Sequence, residues 1–409
     1  ACKIKFQLSA YMNSDRMMVP YLTDWKQIVT LLRNDPEFYY RFTSKSASSE
    51  SWSQIEAAVN SIPNEFDKAK YIYDFVQENI NWDEKYGLYP DKNPDKCFQL
   101  KKGNSASINA AAINLMKRAK LKVYPVVSNP SSEGGINKYY PDLENFGHVF
   151  GLVNIDNKNI FFDASYSKLP FGILGEENSI DEGLLISDDN HSWVEIPKRN
   201  FTSTIMIDAS LDEENNVTGN IKLKQNNYAF AEDYSAYKED KEGIFWTKRL
   251  SKGETNATCE KFVIENIDYS KKELKASFDF NLEHEFIESD DKIYLPINFY
   301  GKFEENPFKE TTRNTPINFK STFSENYILN LRLPEGYKIT NVPKNIYLQT
   351  CKKEITLMLS FTVNPTSVLV NRKININQDF FFENMYNEIK LIFEEINNRS
   401  DEMLILEKN

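Results

Sequence analysis

Apolar and polar residues alternate over residues 3–11, with Ile4, Phe6 and Leu8 on one side and Lys5, Gln7 and Ser9 on the other, and this period of two predicts a strand. The period then lengthens. Trp25, Ile28, Val29, Leu31 and Leu32 predict a short helix with one buried face over residues 24–33, capped by Thr23. A second helix is predicted over 52–59. A third, over 67–80, is the clearest, because Ala69, Ile72, Tyr73, Val76 and Ile80 recur at helical spacing. A polar, proline-containing loop follows over 83–94. Gly103 then marks a turn, and a helix opens near Asn104 and runs to about Met116. Its Ala106, Ala110 and Ala111 are small enough for close approach to a sheet, as a central buried helix requires.

Strand patterns take over after this helix. Residues 121–128 are rich in Val and Tyr. Residues 148–154 and 159–163 flank Ile155-Asp156-Asn157-Lys158, which predicts a hairpin turn, and 193–196 closes the set. The connection 129–147 carries Pro130, Gly134, Gly135 and Pro141, and loops of that length are often functional. Within it, Tyr139-Tyr140-Pro141 either lines a peptide groove or packs over the core, and packing is the simpler expectation. Helices first and an antiparallel sheet afterwards define an α+β domain. Past residue 200 the texture changes. Residues 202–208 and 218–224 surround the polar run 212–216 as a hairpin, and 227–250 reads as partly helical. Strands are predicted at 273–280, 292–299, 327–333, 346–350, 354–363 and 368–376, a β-rich domain of the sandwich type. A final helix over 383–397 presents Tyr386, Ile389, Phe393 and Ile396 on one face, and 403–406 reads as a last strand.

Composition narrows the function classes. At 409 residues the chain has length for two or three domains, and its 41% hydrophobic content can fill their cores. A net charge of −11 opposes a general nucleic-acid binder, because phosphate contacts need a basic surface. Cys2, Cys97, Cys259 and Cys351 lie far apart, without metal-ligand spacing and too few for a disulfide framework, so neither a metal nor another cofactor is expected. No run of 18 apolar residues occurs, so no membrane-spanning helix is expected. Ala1-Cys2 reads either as the stump of a lipoprotein signal, with Cys2 the lipid-bearing residue, or as an ordinary cysteine at the chain start. His191 and Trp193 read as structural.

The chemistry concentrates at Gly103-Asn104-Ser105-Ala106-Ser107-Ile108-Asn109. Ser105 sits at the helix start, where orphan N–H groups could steady an oxyanion. His148 opens a strand 43 residues later, and Asp163 closes the next one 15 residues beyond that. A nucleophile, a base and a group that fixes the base in one tautomer are what covalent acyl transfer needs. Taken singly, each also has a structural reading: a first-turn serine, a strand-start histidine, a turn aspartate.

This heptapeptide, the run His148-Val149-Phe150-Gly151-Leu152-Val153-Asn154-Ile155-Asp156, and Phe161-Phe162-Asp163-Ala164 followed by Leu169-Pro170-Phe171-Gly172 resemble the transglutaminase-like (papain-like) core. They are most similar to Bacteroidota proteins in which that core lies between β-rich domains of the DUF3857 and DUF3858 types. The resemblance implies the last strand of a preceding β domain over 1–15, the core over 16–198, and a DUF3858-like domain over 199–409 that ends in a helix. It implies that Ser105 occupies the position of the nucleophilic cysteine, with His148 and Asp163 as base and orienting acid. Serine there is either natural or a replacement for cysteine. Cys97 precedes the Gly103 turn and does not take its place. A thiol with a pKa near 8.5 ionises readily beside histidine, whereas a serine hydroxyl stays protonated. A site shaped for sulfur is also expected to hold an oxygen too far away or at a poor angle.

Three functions follow from this. The first is a non-catalytic, extracytoplasmic binding or scaffold module, periplasmic or at the cell surface, with a protein, peptide or glycan as partner. The second is an acyltransferase or amide or peptide hydrolase that uses Ser105, or an original cysteine, with His148 and Asp163. In the third, the β-rich domain binds and the core serves as a spacer.

Overall fold

The computed structural model describes residues 8, 10–20, 24–134, 136–187, 191–240, 244–250, 257–283, 287–289, 292–301 and 305–408. The chain divides into two compact units, Ala1–Lys198 and Arg199–Asn409. Most of the predicted strand over 3–11, Thr23, Gly135 and Cys2 lie outside the described residues.

In the first unit, β1 (Ala10–Met12) pairs with β2 (Met18–Pro20). Helices α1 (Trp25–Asn34), α2 (Tyr39–Thr43), α3 (Ser49–Ser61) and α4 (Glu65–Asn79) follow. The cap of α1 is Asp24, not Thr23: its side chain accepts from the Gln27 N–H at 2.8 Å. The loop predicted over 83–94 ends in a further helix. Strand β3 (Asn81–Trp82) leads to α5 (Pro94–Leu100), where Asn93 caps and Pro94 takes the first position, to which its fixed φ is suited. Lys101 makes the reversal at φ 52°, so Gly103 is not the turn. Gly103 lies in β4 (Lys102–Gly103), parallel to β3, where a side chain would press on Cys97 Sγ at 3.2 Å.

Helix α6 (Ser105–Arg118) is buried continuously from Ser105 to Met116. Only small or apolar side chains fit such a path, and its polar residues are satisfied: Asn114 accepts from Ser48 Oγ at 2.6 Å and donates to the Ser44 carbonyl at 2.9 Å. Around it lies a five-stranded antiparallel sheet built from β5 (Lys122–Ser128), β6 (His148–Ile155), β7 (Lys158–Phe162), β8 (Glu182–Ile186) and β9 (His191–Glu195), in the order β7-β6-β5-β8-β9. The β6–β7 turn uses Asp156 and Asn157, both at positive φ, as a tight hairpin demands. One sheet face sends Val123, Val127, Val149 and Val153 into the helical core. The other sends Val126, Phe150, Leu152 and Phe161 into a smaller one. Tyr139 and Tyr140 do not pack over the core. They are 91% and 64% exposed.

The second unit is built on an eight-stranded sheet. Its strands are β10 (Arg199–Leu211), β11 (Val217–Asn227), β12 (Ala257–Asp268), β13 (Glu273–Leu282), and, further on, β17 (Ser321–Arg332), β19 (Ile346–Gln349), β20 (Ile355–Asn364) and β21 (Ser367–Ile376). β10 and β17 run parallel; the other neighbours are antiparallel. A four-stranded sheet, β14 (Ile287–Ser289), β15 (Lys292–Pro296), β18 (Tyr337–Asn341) and β23 (Met403–Lys408), shares a core with it through Ile293, Leu295, Leu404 and Leu406. Helix α7 (Tyr228–Glu239) packs Phe230 and Tyr234 into the same core, with the short α8 (Ile244–Thr247) after it. Helix α9 (Tyr386–Ser400) places Tyr386, Ile389, Phe393 and Ile396 against β20 and β21, and a small bridge, β16 (Ile317–Asn318) with β22 (Phe380–Phe381), lies beside them. The protein is thus mixed α+β with a β-rich C-terminal region. No helix among the described residues is long and apolar enough to cross a membrane.

Candidate active site

The first unit brings Ser105, His148 and Asp163 together. Asn104 caps α6 by accepting from the Ser107 N–H at 2.8 Å, which puts Ser105 at the first helical position. β6 begins at His148 and faces α6, and Asp163 follows directly on β7. Ser105 Oγ lies 3.0 Å from His148 Nδ1, and His148 Nε2 lies 2.7 Å from Asp163 Oδ2. An ionised carboxylate only accepts, so Nε2 carries the proton that faces it. In the neutral ring this leaves Nδ1 to accept from the Ser105 hydroxyl. The oxygen is therefore held at ordinary hydrogen-bonding distance, contrary to the expectation for a site shaped around sulfur.

Asp163 is fixed by five donors. Besides His148, Asn178 Nδ2 donates to Oδ2 at 2.8 Å, while Asn109 Nδ2, the Ser165 N–H and Ser165 Oγ donate to Oδ1 at 2.7, 3.1 and 2.6 Å. Burial opposes ionisation of this carboxyl. The His148 ring and the hydrogen bonds from Ser165 and Asn109 outweigh it and hold the pKa below the ordinary aspartate value. Asn109 is the residue that sequence reasoning missed with least excuse. It stands four places after Ser105 on the same helical face, an amide in an alanine-rich run. It also donates to the Val149 carbonyl at 2.9 Å and accepts from the Ala164 N–H at 2.8 Å, so it ties α6 to both strands. Asn178 and Ser165 carry no such periodic signal.

The surroundings close the site. Ser105, His148 and Asp163 are each 0% exposed. The Ser105 N–H, a donor an oxyanion would need, is taken by the Lys85 carbonyl at 3.0 Å. The Gly87 N–H donates to Ser105 Oγ itself at 3.2 Å. Tyr86, between these two, stands edge-on to the His148 ring with centroids 5.1 Å apart, and its hydroxyl meets that of Tyr166 at 2.6 Å. Trp82 packs on Tyr86 and bonds the Lys85 carbonyl through its indole N–H at 3.0 Å. Gly175 leaves no room beside the Tyr166 ring for even a Cβ. Of the orphan donors expected at the helix start, the Ser105 N–H is thus spent on the Lys85 carbonyl and the Ser107 N–H on the Asn104 side chain. Cys97 is buried, and burial pushes its thiol up to about 12, so it is no substitute nucleophile. Among the described residues no cluster of His, Cys, Asp and Glu could hold a metal ion.

Residues 291–406 match a family described as a domain of unknown function, DUF3858. The whole chain is similar in fold to the crystal structure of a "putative protease" from Parabacteroides distasonis, with a TM-score of 0.57 at 12% identity over 99% of this chain. This chain spans 63% of that one. No curated protein matches.

Proposed function

We propose that the chain is a catalytically silent transglutaminase-like (papain-like) protein whose core serves as an extracytoplasmic binding or scaffold module. In this reading Ser105, His148 and Asp163 act as a structural network that locks α6 to the sheet. One observation carries it: Ser105 is fully buried, with its N–H already given to the Lys85 carbonyl. An acyl substrate needs both the hydroxyl and that donor. The test is turnover of amide and peptide substrates, with and without an amine acceptor, by the full chain and by Ser105→Cys. Neither protein is expected to turn over, because closure acts on the thiol as it does on the hydroxyl. Turnover by either overturns the reading.

A second reading, an acyltransferase or amide hydrolase working through Ser105, draws on the distances of 3.0 and 2.7 Å along Ser105–His148–Asp163 and on the likeness to the Parabacteroides chain. It requires Trp82–Tyr89 to leave. The cell-envelope setting and the class of partner rest on the family resemblance.

A further inference from the structure

Two donors converge on one oxygen beside the triad. The Ser105 N–H and the Trp82 indole N–H each lie 3.0 Å from the Lys85 carbonyl oxygen. A carbonyl oxygen has two lone pairs, and both are met. Two N–H groups aimed at one oxygen, next to a hydroxyl held by an imidazole, make the geometry that receives the carbonyl of an acyl group. Here the chain itself supplies that carbonyl. The same segment meets the site at two further points. Tyr86 sets its ring among Trp82, His148 and Tyr166, with centroids 5.0 Å from Trp82 and 5.1 Å from His148, and its hydroxyl meets that of Tyr166 at 2.6 Å. The Gly87 N–H then donates to Ser105 Oγ at 3.2 Å. The recess thus reads a peptide in order: a carbonyl, the side chain of the next residue, and the N–H after it.

The covering piece is short and anchored separately at each end. On one side Trp82 pairs with Gly103, and the Asp83 N–H donates to the Gly103 carbonyl at 3.1 Å. On the other, Leu88 and Pro90 are buried, and the Tyr89 carbonyl accepts from Asn104 Nδ2 at 2.9 Å. Residues 84–87 arch between these anchors. Glu84 and Lys85 are exposed, and Glu84 stands at φ 68°, in the left-handed region that residues with a side chain rarely adopt. Both donors that hold the carbonyl, Trp82 and Ser105, belong to the anchored frame and not to the arch.

We propose that residues 84–87 are an internal peptide ligand, and that the recess they fill is a peptide site selective for an aromatic residue after the bound carbonyl. It rests on the core being a silent binding module, and it makes a peptide the partner. A peptide is favoured over a glycan because an accepting carbonyl and a donating N–H are both engaged, at the spacing that a peptide backbone repeats. A tethered segment acts at an effective concentration of about millimolar, so the arch excludes a free peptide that offers only the same contacts. A partner that displaces it must bring additional ones.

The experiment reads alkylation by iodoacetamide at position 105 in Ser105→Cys, by peptide mass mapping, with exposed Cys351 as the internal reference. Adding Tyr86→Gly is expected to raise the rate at position 105 about tenfold or more, because the arch loses its hold on the recess. N-acetyltyrosinamide carries the carbonyl, the phenol ring and the amide N–H of the missing stretch. It is expected to restore protection saturably, while N-acetylalaninamide does not. Tyr166→Phe removes one hydroxyl of the pair and keeps the test valid if Tyr86→Gly fails to fold, with a rate raised in the same direction. The proposal is overturned if position 105 stays protected in both variants, if N-acetyltyrosinamide gives no protection in Tyr86→Gly, or if N-acetylalaninamide protects equally well. Turnover with the arch unaltered would instead overturn the silent reading of the core, so the two failures are told apart.

Discussion

Replacing Asp163 by alanine probes whether the buried network holds the first unit together. The carboxylate accepts from His148, Asn178, Asn109 and twice from Ser165, at distances of 2.6 to 3.1 Å. Each donor left buried without an acceptor costs about 1–3 kcal/mol. Breaking a buried charged pair by removing one member costs about 3–5 kcal/mol. These figures overlap rather than add, because Asn109 keeps its bond to the Val149 carbonyl and water can enter the vacated space. A loss of about 4 kcal/mol is the expected result. With a urea m-value near 2 kcal/mol/M, the midpoint of the first unit falls by about 2 M. Four of the five tryptophans, Trp25, Trp52, Trp82 and Trp193, lie in that unit, so fluorescence mainly reports its unfolding. Because the chain has two units, the transition is fitted for the first alone. A loss below about 1 kcal/mol, the size of an ordinary surface substitution, refutes the reasoning.

Acid should loosen the same site. The folded pKa of Asp163 is lowered, so its contribution to stability is complete above the unfolded value of about 3.9 and drains away as pH falls through the folded value. The slope of stability against pH below about 5 is expected to be steeper in the native protein than in Asp163→Asn, and equal slopes would remove this carboxylate from the account. Cys97, raised to about 12 by burial, should resist iodoacetamide at pH 8 in the folded chain while exposed Cys351 reacts; peptide mass mapping distinguishes them. Gly151 faces the Phe162 ring across β6 and β7 with no space for a Cβ, so Gly151→Ala should cost about 1–3 kcal/mol of first-unit stability in the same urea titration.

Much of the frame was legible because it rests on period and local chemistry. Residues 67–80 announced α4, and all five apolar positions named there are buried. The last helix showed its face in advance through Tyr386, Ile389, Phe393 and Ile396. Other elements were masked by local exceptions. β12 escaped notice because register shifts between Glu260 and Val263 and between Ile264 and Asn266 break its alternation. α5 hid at the end of a loop, although Asn93-Pro94 is a start signal when read as cap and first residue. At the site, sequence spacing could nominate Ser105, His148 and Asp163, but not the closure. The Lys85 carbonyl and Gly87 N–H act through backbone atoms, which every residue carries and no motif records.

Covalent labelling of the native chain with an alkyl fluorophosphonate, read by peptide mass spectrometry at Ser105, tests the closed triad most directly. The account predicts no adduct at Ser105, in the native protein as in His148→Ala. An adduct that forms on the native chain and vanishes in His148→Ala would mean that the hydroxyl is reachable and activated, and that Trp82–Tyr89 is a door instead of a wall.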